Sequence, residues 1–448
     1  MAKLSIPQGT RDFGPDVVRK RNYIFATIRQ TFERFGFQPL ETPAMENTST
    51  LLGKYGEEGD KLIFKILNNG DILGQAQMAK DSRELGLLLC EKSLKYDLTI
   101  PFARYVVMNQ GKLQLPFRRY QMQPVWRGDK PQRGRYREFY QCDADVVGSN
   151  SLLNEIDLLS IYDTVFTTLG LGGYQMKVNN RKVLTGLAEL VGRPDLMLDI
   201  TIAIDKLDKI GDSGVRDELT GRGLKAHEAE QVMAFIALQG SNEEKLDRLA
   251  EVFVNSPTGL KGVEELRFIL GSGLTQFSSQ PQIDLTLARG LNYYTGMIVE
   301  VKAPDTVKMG SIGGGGRYDD LTGLFGLPGI SGVGISFGVD RIYDVLEDLQ
   351  LFPETAQQGT QVIFFHPGAE KLAEVYGYVT RLRQRGINAE IYPDDIKQDK
   401  QYKYAEKRGV PYIGYVEDNA PGTVFLKNMT GKQRHQLSVA ELEAFVFQ

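Results

Sequence analysis

One segment constrains the fold most: residues 117–141, in which arginines alternate with aromatic residues on both sides of a glycine. This pattern predicts two antiparallel strands joined by a long turn, with Arg135 and Arg137 on one face and Tyr136 and Glu138 on the other. Each guanidinium group donates two hydrogen bonds at once, so a row of them binds polyphosphate well. A solvated basic loop is the alternative, but the interleaved aromatics favour a phosphate or nucleic-acid role.

The length and composition are those of a multidomain globular protein. At 448 residues the chain exceeds what one core supports, so two or three domains are expected. Hydrophobic residues make up 42% and charged residues 25%. The first residues have no apolar signal region, and no apolar run is long enough to cross a bilayer, so no membrane association is expected. The net charge of −4 disfavours bulk coating of nucleic acid but allows a local basic face.

Histidine and cysteine usage excludes several kinds of site. The three histidines, His227, His366 and His435, lie far apart and none has the spacing of a metal motif or accompanies a nucleophile elbow. Cys90 and Cys142 are too few for a disulfide framework or a four-ligand zinc site. We therefore expect a cytoplasmic protein with no zinc and no metal site built from clustered side chains.

Hydrophobic periodicity divides the chain into two predicted domains. Residues 1–350 form the first, which begins with a helix from about Asp16 and is otherwise strand-like and turn-like up to about Gly148. Residues 181–272 are interpreted as a helical insertion within it, because a capping box at 241–244 precedes an apolar helical face. Residues 360–448 alternate strand and helix, which predicts a separate α/β domain with a partly parallel sheet.

Nucleotide-binding loops of the common kinds are absent from the sequence. There is no GxxxxGK[ST], and the run of glycines at 313–316 is not a GxGxxG between a strand and a helix. A glycine run of this kind is more often a flexible turn, although it also lets backbone approach a ligand closely. If the protein binds ATP, we expect arginines on an antiparallel sheet to hold it.

Several motifs in order resemble the histidyl-tRNA synthetase family of class II aminoacyl-tRNA synthetases. The opening GTRD (9–12) is similar to the family's start, and PLETP (39–43) falls in motif 1. Residues 127–141 resemble motif 2, RGLNYYTG (289–296) resembles the histidine-specific RGLDYYTG, and GISFGVDR (334–341) resembles motif 3. The RGLxYYTG-like motif disfavours threonine or proline specificity.

The resemblance implies an α+β class II catalytic domain on an antiparallel sheet, with a helical insertion and a C-terminal α/β anticodon-binding domain. It implies a ligase that activates L-histidine with ATP, with Mg²⁺ on the phosphates, and transfers it to the 3′ end of tRNA(His). Motif 1 implies a homodimer.

The resemblance also implies roles for individual residues. Arg127 is expected at the α-phosphate, Arg341 at the γ-phosphate, and Arg289 between the substrate carboxylate and the α-phosphate. Arg135 and Arg137 are further ATP candidates, and Arg289 and Arg127 are the expected catalytic residues. The expected histidine-binding residues are Asp97, Thr99, Gln141, Asp145, Arg289, Tyr293 and Tyr294. One of the two tyrosines is expected to serve core packing instead.

Two further features need testing. Asn292 stands where the family usually has Asp, which removes a carboxylate from the histidine-specific motif. In the C-terminal domain a basic and aromatic stretch is a candidate for tRNA contact, although such stretches are usually solvated helix faces. The candidate residues are Lys400, Lys403, Lys407 and Arg408.

Two alternative functions belong to non-catalytic relatives. A histidyl-tRNA synthetase-like regulatory subunit of histidine biosynthesis typically lacks the anticodon domain and has lost ATP-site arginines, whereas Arg127, Arg289 and Arg341 are all present here. A tRNA-sensing module is usually fused to a kinase, and the sequence has no kinase motifs.

Overall fold

A computed structural model describes residues 4–70, 72–77, 79, 81–288, 293–357 and 359–447. The chain divides into two compact units, Met1–Phe352 and Pro353–Gln448. Among the described residues, no helix combines the length and the apolar character that a bilayer span requires.

The first unit is built on an eight-stranded sheet in the order β1-β5-β6-β11-β10-β9-β7-β8, with a small β2-β4-β3 sheet beside it. The strands of this unit are β1 (Gln38–Pro39), β2 (Met45–Asn47), β3 (Lys65–Ile66), β4 (Lys92–Leu94), β5 (Phe117–Trp126), β6 (Glu138–Val147), β7 (Gln175–Asn180), β8 (Gln282–Ile283), β9 (Met297–Lys302), β10 (Gly313–Tyr318) and β11 (Gly332–Gly338). The short edge strands β1 and β8 are parallel to their neighbours, β5 and β7 respectively. All the pairings from β5 across the sheet to β7 are antiparallel. The predicted antiparallel sheet is confirmed.

The helices of this unit cover the sheet and form the insertion. They are α1 (Pro15–Arg34), α2 (Thr48–Leu51), α3 (Gly56–Lys61), α4 (Ile72–Ala76), α5 (Ser82–Leu89), α6 (Thr99–Asn109), α7 (Leu153–Thr168), α8 (Arg181–Leu190), α9 (Met197–Asp205), α10 (Leu207–Gly221), α11 (Ala226–Ile236), α12 (Asn242–Val252), α13 (Pro257–Gly271) and α14 (Val339–Asp348). Short 3₁₀ turns occupy Pro194–Leu196, Leu321–Phe325 and, in the second unit, Glu354–Gln357.

The predicted strand pair is present, but its second strand starts later than expected. Phe117 to Trp126 pairs with Val147 to Glu138, so residues 127–137 form the connection. Gly134 has a φ of 70°, a left-handed conformation that residues with a Cβ rarely adopt. Gln132 and Arg135 pair on either side of it and close a tight turn. Arg135 and Arg137 therefore lie in the connection, and the prediction that strand alternation sets their direction was wrong.

The core of the first unit lies between the sheet and the helices α1, α7 and α14. The predicted apolar stripe of α1 is buried, with Ile24, Ile28 and Phe32 fully shielded from solvent. Phe32 packs 5.8 Å from Phe337 of β11, measured between ring centroids. Burying each such side chain contributes roughly 1.5–3 kcal/mol, so this helix anchors the back of the sheet.

The expectation of strands and turns up to Gly148 was partly wrong, because the helices α2 to α6 lie between β2 and β5. Most of them have eight or fewer residues, too few for a clear helical period. By contrast, the helices α8 to α13 fill the predicted insertion, and Ser241 and Glu244 form the predicted capping box.

The second unit has a five-stranded sheet in the order β13-β12-β14-β15-β16. Its elements are β12 (Val362–Phe364), α15 (Leu372–Gln384), β13 (Ala389–Ile391), α16 (Gln398–Lys407), β14 (Tyr412–Tyr415), β15 (Thr423–Asn428), β16 (Arg434–Ser438) and α17 (Val439–Ala444). β12 pairs in parallel with β13 and β14, whereas β15 and β16 are antiparallel. The predicted strand–helix alternation and mixed sheet are confirmed.

Candidate active site

Two adjoining cavities lie over the middle of the large sheet, where β6, β10 and β11 are neighbours. The outer chamber has a volume of about 280 Å³ and the inner chamber about 60 Å³. The residues that line both are Arg127, Gln141, Tyr294, Gly314 and Ser336. The two chambers therefore form one continuous site.

The outer chamber is lined by basic side chains. Arg127, Arg135 and Arg341 contribute to its wall. Arg127 is positioned by its own neighbours: Nε donates to the Tyr96 carbonyl at 3.0 Å, and the guanidinium carbon lies 4.4 Å from the centroid of the Tyr96 ring. A cation held against an aromatic face keeps its charge while losing little mobility on binding.

Arg341 lies in the first turn of α14, directly after β11. Its Nε donates to the Gly134 carbonyl at 2.7 Å and its Nη1 to the Ser311 carbonyl at 2.6 Å. The arginine thereby joins the motif 3 helix to the connection between β5 and β6, and its charge is directed at the outer chamber.

Arg135 and Arg137 have different environments although they are two residues apart. The Arg135 side chain is 53% exposed, and its Nε lies 3.3 Å from Asp129 Oδ1 at the rim of the outer chamber. Arg137 donates instead to the backbone carbonyls of Asp129 and Gln8, at 3.1 and 3.3 Å. It is not among the residues that line the chamber.

The inner chamber brings together the predicted histidine-binding residues that the structure describes. They are Asp97, Thr99, Gln141, Asp145, Tyr293 and Tyr294. The predicted residues Arg289 and Asn292 lie outside the described part of the chain.

Sequence reasoning missed other residues of the inner chamber, notably Asp143, Tyr318 and Ser336. Asp143 and Asp145 are two positions apart on β6, so they project from the same face of the sheet. That spacing was the available signal for Asp143. Tyr318 is the last residue of β10, and nothing in the sequence around it indicates that it belongs to the site.

Asp97 is buried and held by neighbouring donors. Its Oδ1 accepts from the Tyr55 hydroxyl at 2.9 Å and from the Ile100 backbone N–H at 3.1 Å. Burial raises the pKa of Asp97, and those two hydrogen bonds together with the nearby Arg127 and Arg119 oppose the increase. The carboxylate is thus oriented, with its charge partly balanced by cations.

Asp145 and Asp143 share the charge of a buried arginine. Arg119 is completely shielded from solvent, and its Nη2 lies 2.8 Å from Asp145 Oδ2. Burial raises the pKa of Asp145 and raises that of Asp143 to about 7, while the charge of Arg119 opposes both shifts. The inner chamber is therefore acidic where the outer chamber is basic.

The glycine run at 313–316 forms the strand β10, so the flexible-turn interpretation was wrong. A Cβ on Gly315 would lie 2.1 Å from the Gly334 carbonyl oxygen, and one on Gly316 would lie 2.9 Å from the Tyr294 ring. On the neighbouring strand, a Cβ on Gly334 would lie 2.0 Å from Asp145 Oδ1. The glycines thus leave the space in which these side chains lie flat against the sheet.

The candidate tRNA-binding residues of the second unit are on or next to α16. Lys400, Lys403, Lys407 and Arg408 are exposed, while Gln401 and Ala405 on the opposite side of the helix are buried. Arg408 forms an ion pair with Glu390 and lies over the Tyr404 ring at 5.2 Å. The three lysines and Arg408 therefore form an exposed basic helix face.

Comparison with known proteins identifies related chains along nearly the whole length. A family model described as Histidyl-tRNA synthetase matches residues 9–342, and one described as Anticodon binding domain matches residues 361–448. The chain is 55% identical to the histidine–tRNA ligase of Christiangramia forsetii, covering 92% of this chain and 91% of that one. It is 53% identical to that of Phocaeicola vulgatus, covering 99% of both.

Solved structures give the same result. The fold is similar to the crystal structure of histidyl-tRNA synthetase from Nostoc sp. PCC 7120, with a TM-score of 0.82, 29% identity, and coverage of 99% of this chain and 100% of that one. A structure titled as an ATP phosphoribosyltransferase regulatory subunit/histidyl-tRNA synthetase, from Bacillus halodurans C, has a TM-score of 0.70 at 19% identity, covering 92% and 97%. That second likeness concerns the fold alone.

Proposed function

Because the chain belongs to the histidyl-tRNA synthetase family, we propose that it is a histidine–tRNA ligase, which condenses L-histidine with ATP and then esterifies tRNA(His). In the first step a histidine carboxylate oxygen attacks the α-phosphorus of ATP, and the bond from that phosphorus to the bridging oxygen breaks. Histidyl-adenylate and pyrophosphate result. In the second step a terminal ribose hydroxyl of tRNA attacks the activated carbonyl and AMP leaves.

The observation that carries this proposal is the change of charge between the two chambers, with Arg127 in the wall of both. A polyphosphate is stabilised by the basic outer chamber, and an amino acid with an ammonium group by the acidic inner chamber. The reacting carboxylate and α-phosphorus would then meet beside Arg127. Placing reactants in this way and stabilising the developing charge are the main contributions to phosphoryl and nucleotidyl transfer.

In the outer chamber, Arg127 would contact the α-phosphate and Arg341 the γ-phosphate, with Arg135 at the rim. The assignments of Arg137 and Arg289 rest on the family resemblance. Arg137 would act indirectly, through the backbone of the connection between β5 and β6. Mg²⁺ would arrive with ATP. In the described part of the chain no three His, Cys, Asp or Glu side chains cluster as a metal site, so phosphate and water oxygens would supply most ligands.

In the inner chamber, Asp97 and Thr99 would receive the α-ammonium group, and Gln141 would orient the substrate between the chambers. Its Nε2 donates to Ser336 Oγ at 3.0 Å, and its Oε1 accepts from Arg127 at 3.3 Å. Tyr293, Tyr294 and Asp145 would surround the imidazole ring. A pocket that pairs both ring nitrogens rejects analogues without them, because its own polar groups would remain unpaired.

The second unit would bind the anticodon region of tRNA(His), with the exposed basic face of α16 as the candidate contact. The family match to an anticodon-binding domain over 361–448 supports this assignment. We further propose a homodimer, on the basis of the motif 1 resemblance, and a cytoplasmic location. Both cysteines being free is consistent with that location.

The regulatory alternative is disfavoured by the length of the match. The anticodon-binding model covers the part of the chain that such regulators typically lack, and full-length relatives above 50% identity are named histidine–tRNA ligase. Arg127 and Arg341 also line the outer chamber as nucleotide binding requires.

The test is histidine-dependent exchange between ATP and pyrophosphate by the purified protein, with the other nineteen amino acids as controls. Exchange with histidine alone would support the first step and show that Asn292 is tolerated. Attachment of labelled histidine to tRNA(His) would then test the second step. If histidine binds but no exchange occurs, the regulatory alternative replaces the ligase.

A further inference from the structure

Building on the proposed ligase function, we propose that Asp143 is the carboxylate that accepts the imidazole N–H of histidine, and that Asp145 is a positioning residue. The sequence predicts Asp145, and not Asp143, as a residue that binds the imidazole ring. The ion pair that Arg119 makes with Asp145, and that Asp143 lacks, favours the reverse assignment.

Both oxygens of Asp145 lie against a protein partner. Oδ1 accepts from the Tyr318 hydroxyl at 2.5 Å, and Oδ2 lies 2.8 Å from Arg119 Nη2 in an ion pair without hydrogen-bond geometry. Gly334 lies directly beneath that oxygen, so the carboxylate has little room to turn. A substrate donor would have to displace Arg119 or Tyr318, and a displaced buried partner would be left unsatisfied.

Asp143 has an oxygen that the protein leaves available. Its side chain lines the inner chamber, is 2% exposed and is hydrogen-bonded to Ser336. Among the described residues nothing donates to its Oδ1, and in contrast to Asp145 Oδ2 no described cation lies within ion-pair distance of this side chain. A buried carboxylate oxygen without a donor is costly, so this atom is stabilised when a ligand supplies an N–H.

The ring, and not the ammonium group, is the expected donor to Asp143. The ammonium group is attached to the carbon that bears the reacting carboxylate, so it must stay close to Arg127. Asp97 is assigned to that end, because it follows Tyr96, whose carbonyl accepts from Arg127, and because the charge of Arg127 opposes the increase that burial causes in its pKa. Asp97 also has an oxygen, Oδ2, with no donor among the described residues. For Asp143 the charge that acts most strongly is that of the fully buried Arg119, which leaves Asp143 for the ring.

The test compares Asp143→Asn with the unchanged protein, using two competing ligands. The first is histidine, and the second is β-(2-thienyl)alanine, whose ring has the same size but no N–H. Dissociation constants for both are measured by calorimetry or by inhibition of histidine-dependent exchange. We expect histidine to bind roughly 10- to 100-fold more weakly to Asp143→Asn, while the thienyl analogue binds as well as before or better.

Equal weakening of both ligands would place Asp143 at the shared ammonium group and overturn the assignment. Unchanged histidine binding would overturn it as well. The KM for histidine gives a second readout. In the unchanged protein it should fall as pH rises towards 7, because both Asp143, with a pKa of about 7, and the free imidazole, with a pKa of about 6.5, lose their protons in this range. Only the part contributed by the free imidazole should remain in Asp143→Asn. Absence of exchange in the unchanged protein would instead refute the ligase function, so the two failures are distinguishable.

Asp145→Asn is the matched variant. It weakens the ion pair with the fully buried Arg119, so a lower melting temperature is expected. In Asp143→Asn the melting temperature should not fall, because Arg119 keeps its ion pair with Asp145 and no other described cation lies within ion-pair distance of Asp143. If Asp143→Asn unfolded more readily than Asp145→Asn, Asp143 would be the structural carboxylate and the proposal would fail.

Discussion

The Tyr55 hydroxyl donates a hydrogen bond to Asp97 Oδ1 across 2.9 Å, and both side chains are buried. The Tyr55 ring also packs on Tyr96, with 4.5 Å between centroids, and Tyr96 in turn lies beneath Arg127. The residue preceding α3 is thereby connected to both chambers of the site. Tyr55 is not among the residues that line either chamber, so we regard it as a positioning residue.

Replacing Tyr55 by Phe should raise the KM for histidine by roughly 10-fold or more, because a hydrogen bond to a charged group contributes about 1.5–3 kcal/mol. The KM for ATP should change little, since the aromatic stack beneath Arg127 is kept. Tyr120→Phe is the matched control: it removes a hydroxyl that donates to Glu33 at 2.8 Å, away from the site. Equal effects of both variants on histidine KM would contradict the positioning role.

Arg341→Lys should raise the KM for ATP at least roughly 10-fold while histidine binding stays the same. Lysine keeps the charge, but it lacks the planar fork with which Arg341 holds two carbonyls at the wall of the outer chamber. Exchange kinetics at varied ATP measure this. Arg133→Ala is the control, because Arg133 is in the same connection yet pairs with Asp348 at the surface. An unchanged ATP KM in Arg341→Lys would remove Arg341 from the nucleotide site.

Arg11 should support the outer chamber from outside. Its guanidinium carbon lies 3.3 Å from the centroid of the Tyr136 ring, and it forms an ion pair with Asp340, which precedes Arg341. Arg11→Ala should lower the free energy of unfolding by about 1–3 kcal/mol and also weaken ATP use. Denaturant titration checks the first effect. Arg267→Ala breaks an exposed pair with Asp247 in the helical insertion and should cost no more than about 1 kcal/mol. Equal losses in both variants would argue against the Arg11 role.

Gly334→Ala should abolish histidine-dependent exchange. The added methyl group would lie 2.0 Å from Asp145 Oδ1, so the carboxylate and its partner Arg119 would have to move. Overpacking of this kind costs roughly 1–3 kcal/mol of stability. Gly172→Ala is the control, since a Cβ there meets no atom within 4 Å. Normal exchange by Gly334→Ala would mean that the sheet tolerates side chains at this site.

Asp143 should make a contribution to the stability of the ligand-free protein that decreases as pH rises from about 4 to 7. Its pKa in the folded protein is raised to about 7 by burial, against about 3.9 for an unfolded aspartate. The unfolded chain therefore releases its proton first, and the stabilisation present at low pH is lost as pH passes through 7.

The titratable groups that face Asp143 are Lys95, Asp97, Arg119, Asp145, Tyr162 and Tyr294. Since several of them also titrate, the contribution of Asp143 is isolated by the difference between the unchanged protein and Asp143→Asn in denaturant titrations at pH 4 to 8. We expect that difference to shift in favour of the variant as pH rises. A difference independent of pH would contradict the raised pKa.

Local chemistry in the sequence determined much of this protein. The 3.6-residue period of α1, the strand–helix alternation of the second unit and the paired strands around residue 130 each depend on near neighbours in the chain. The motif residues Arg127, Gln141 and Arg341 were likewise identifiable, and the structure brings them to one cavity.

Tertiary structure alone decided which partners the site carboxylates have. Pairing of β6 with β11 sets Asp143 opposite Ser336 and Asp145 opposite Gly334, and these are contacts between residues almost two hundred positions apart. Spacing along β6 cannot reveal that Arg119 and Tyr318 occupy one carboxylate and leave the other an available oxygen. A run of glycines in the sequence also does not indicate whether the backbone will form a turn or an extended strand. That depends on which side chains need the space beside it, and burial in the assembled sheet determines those neighbours.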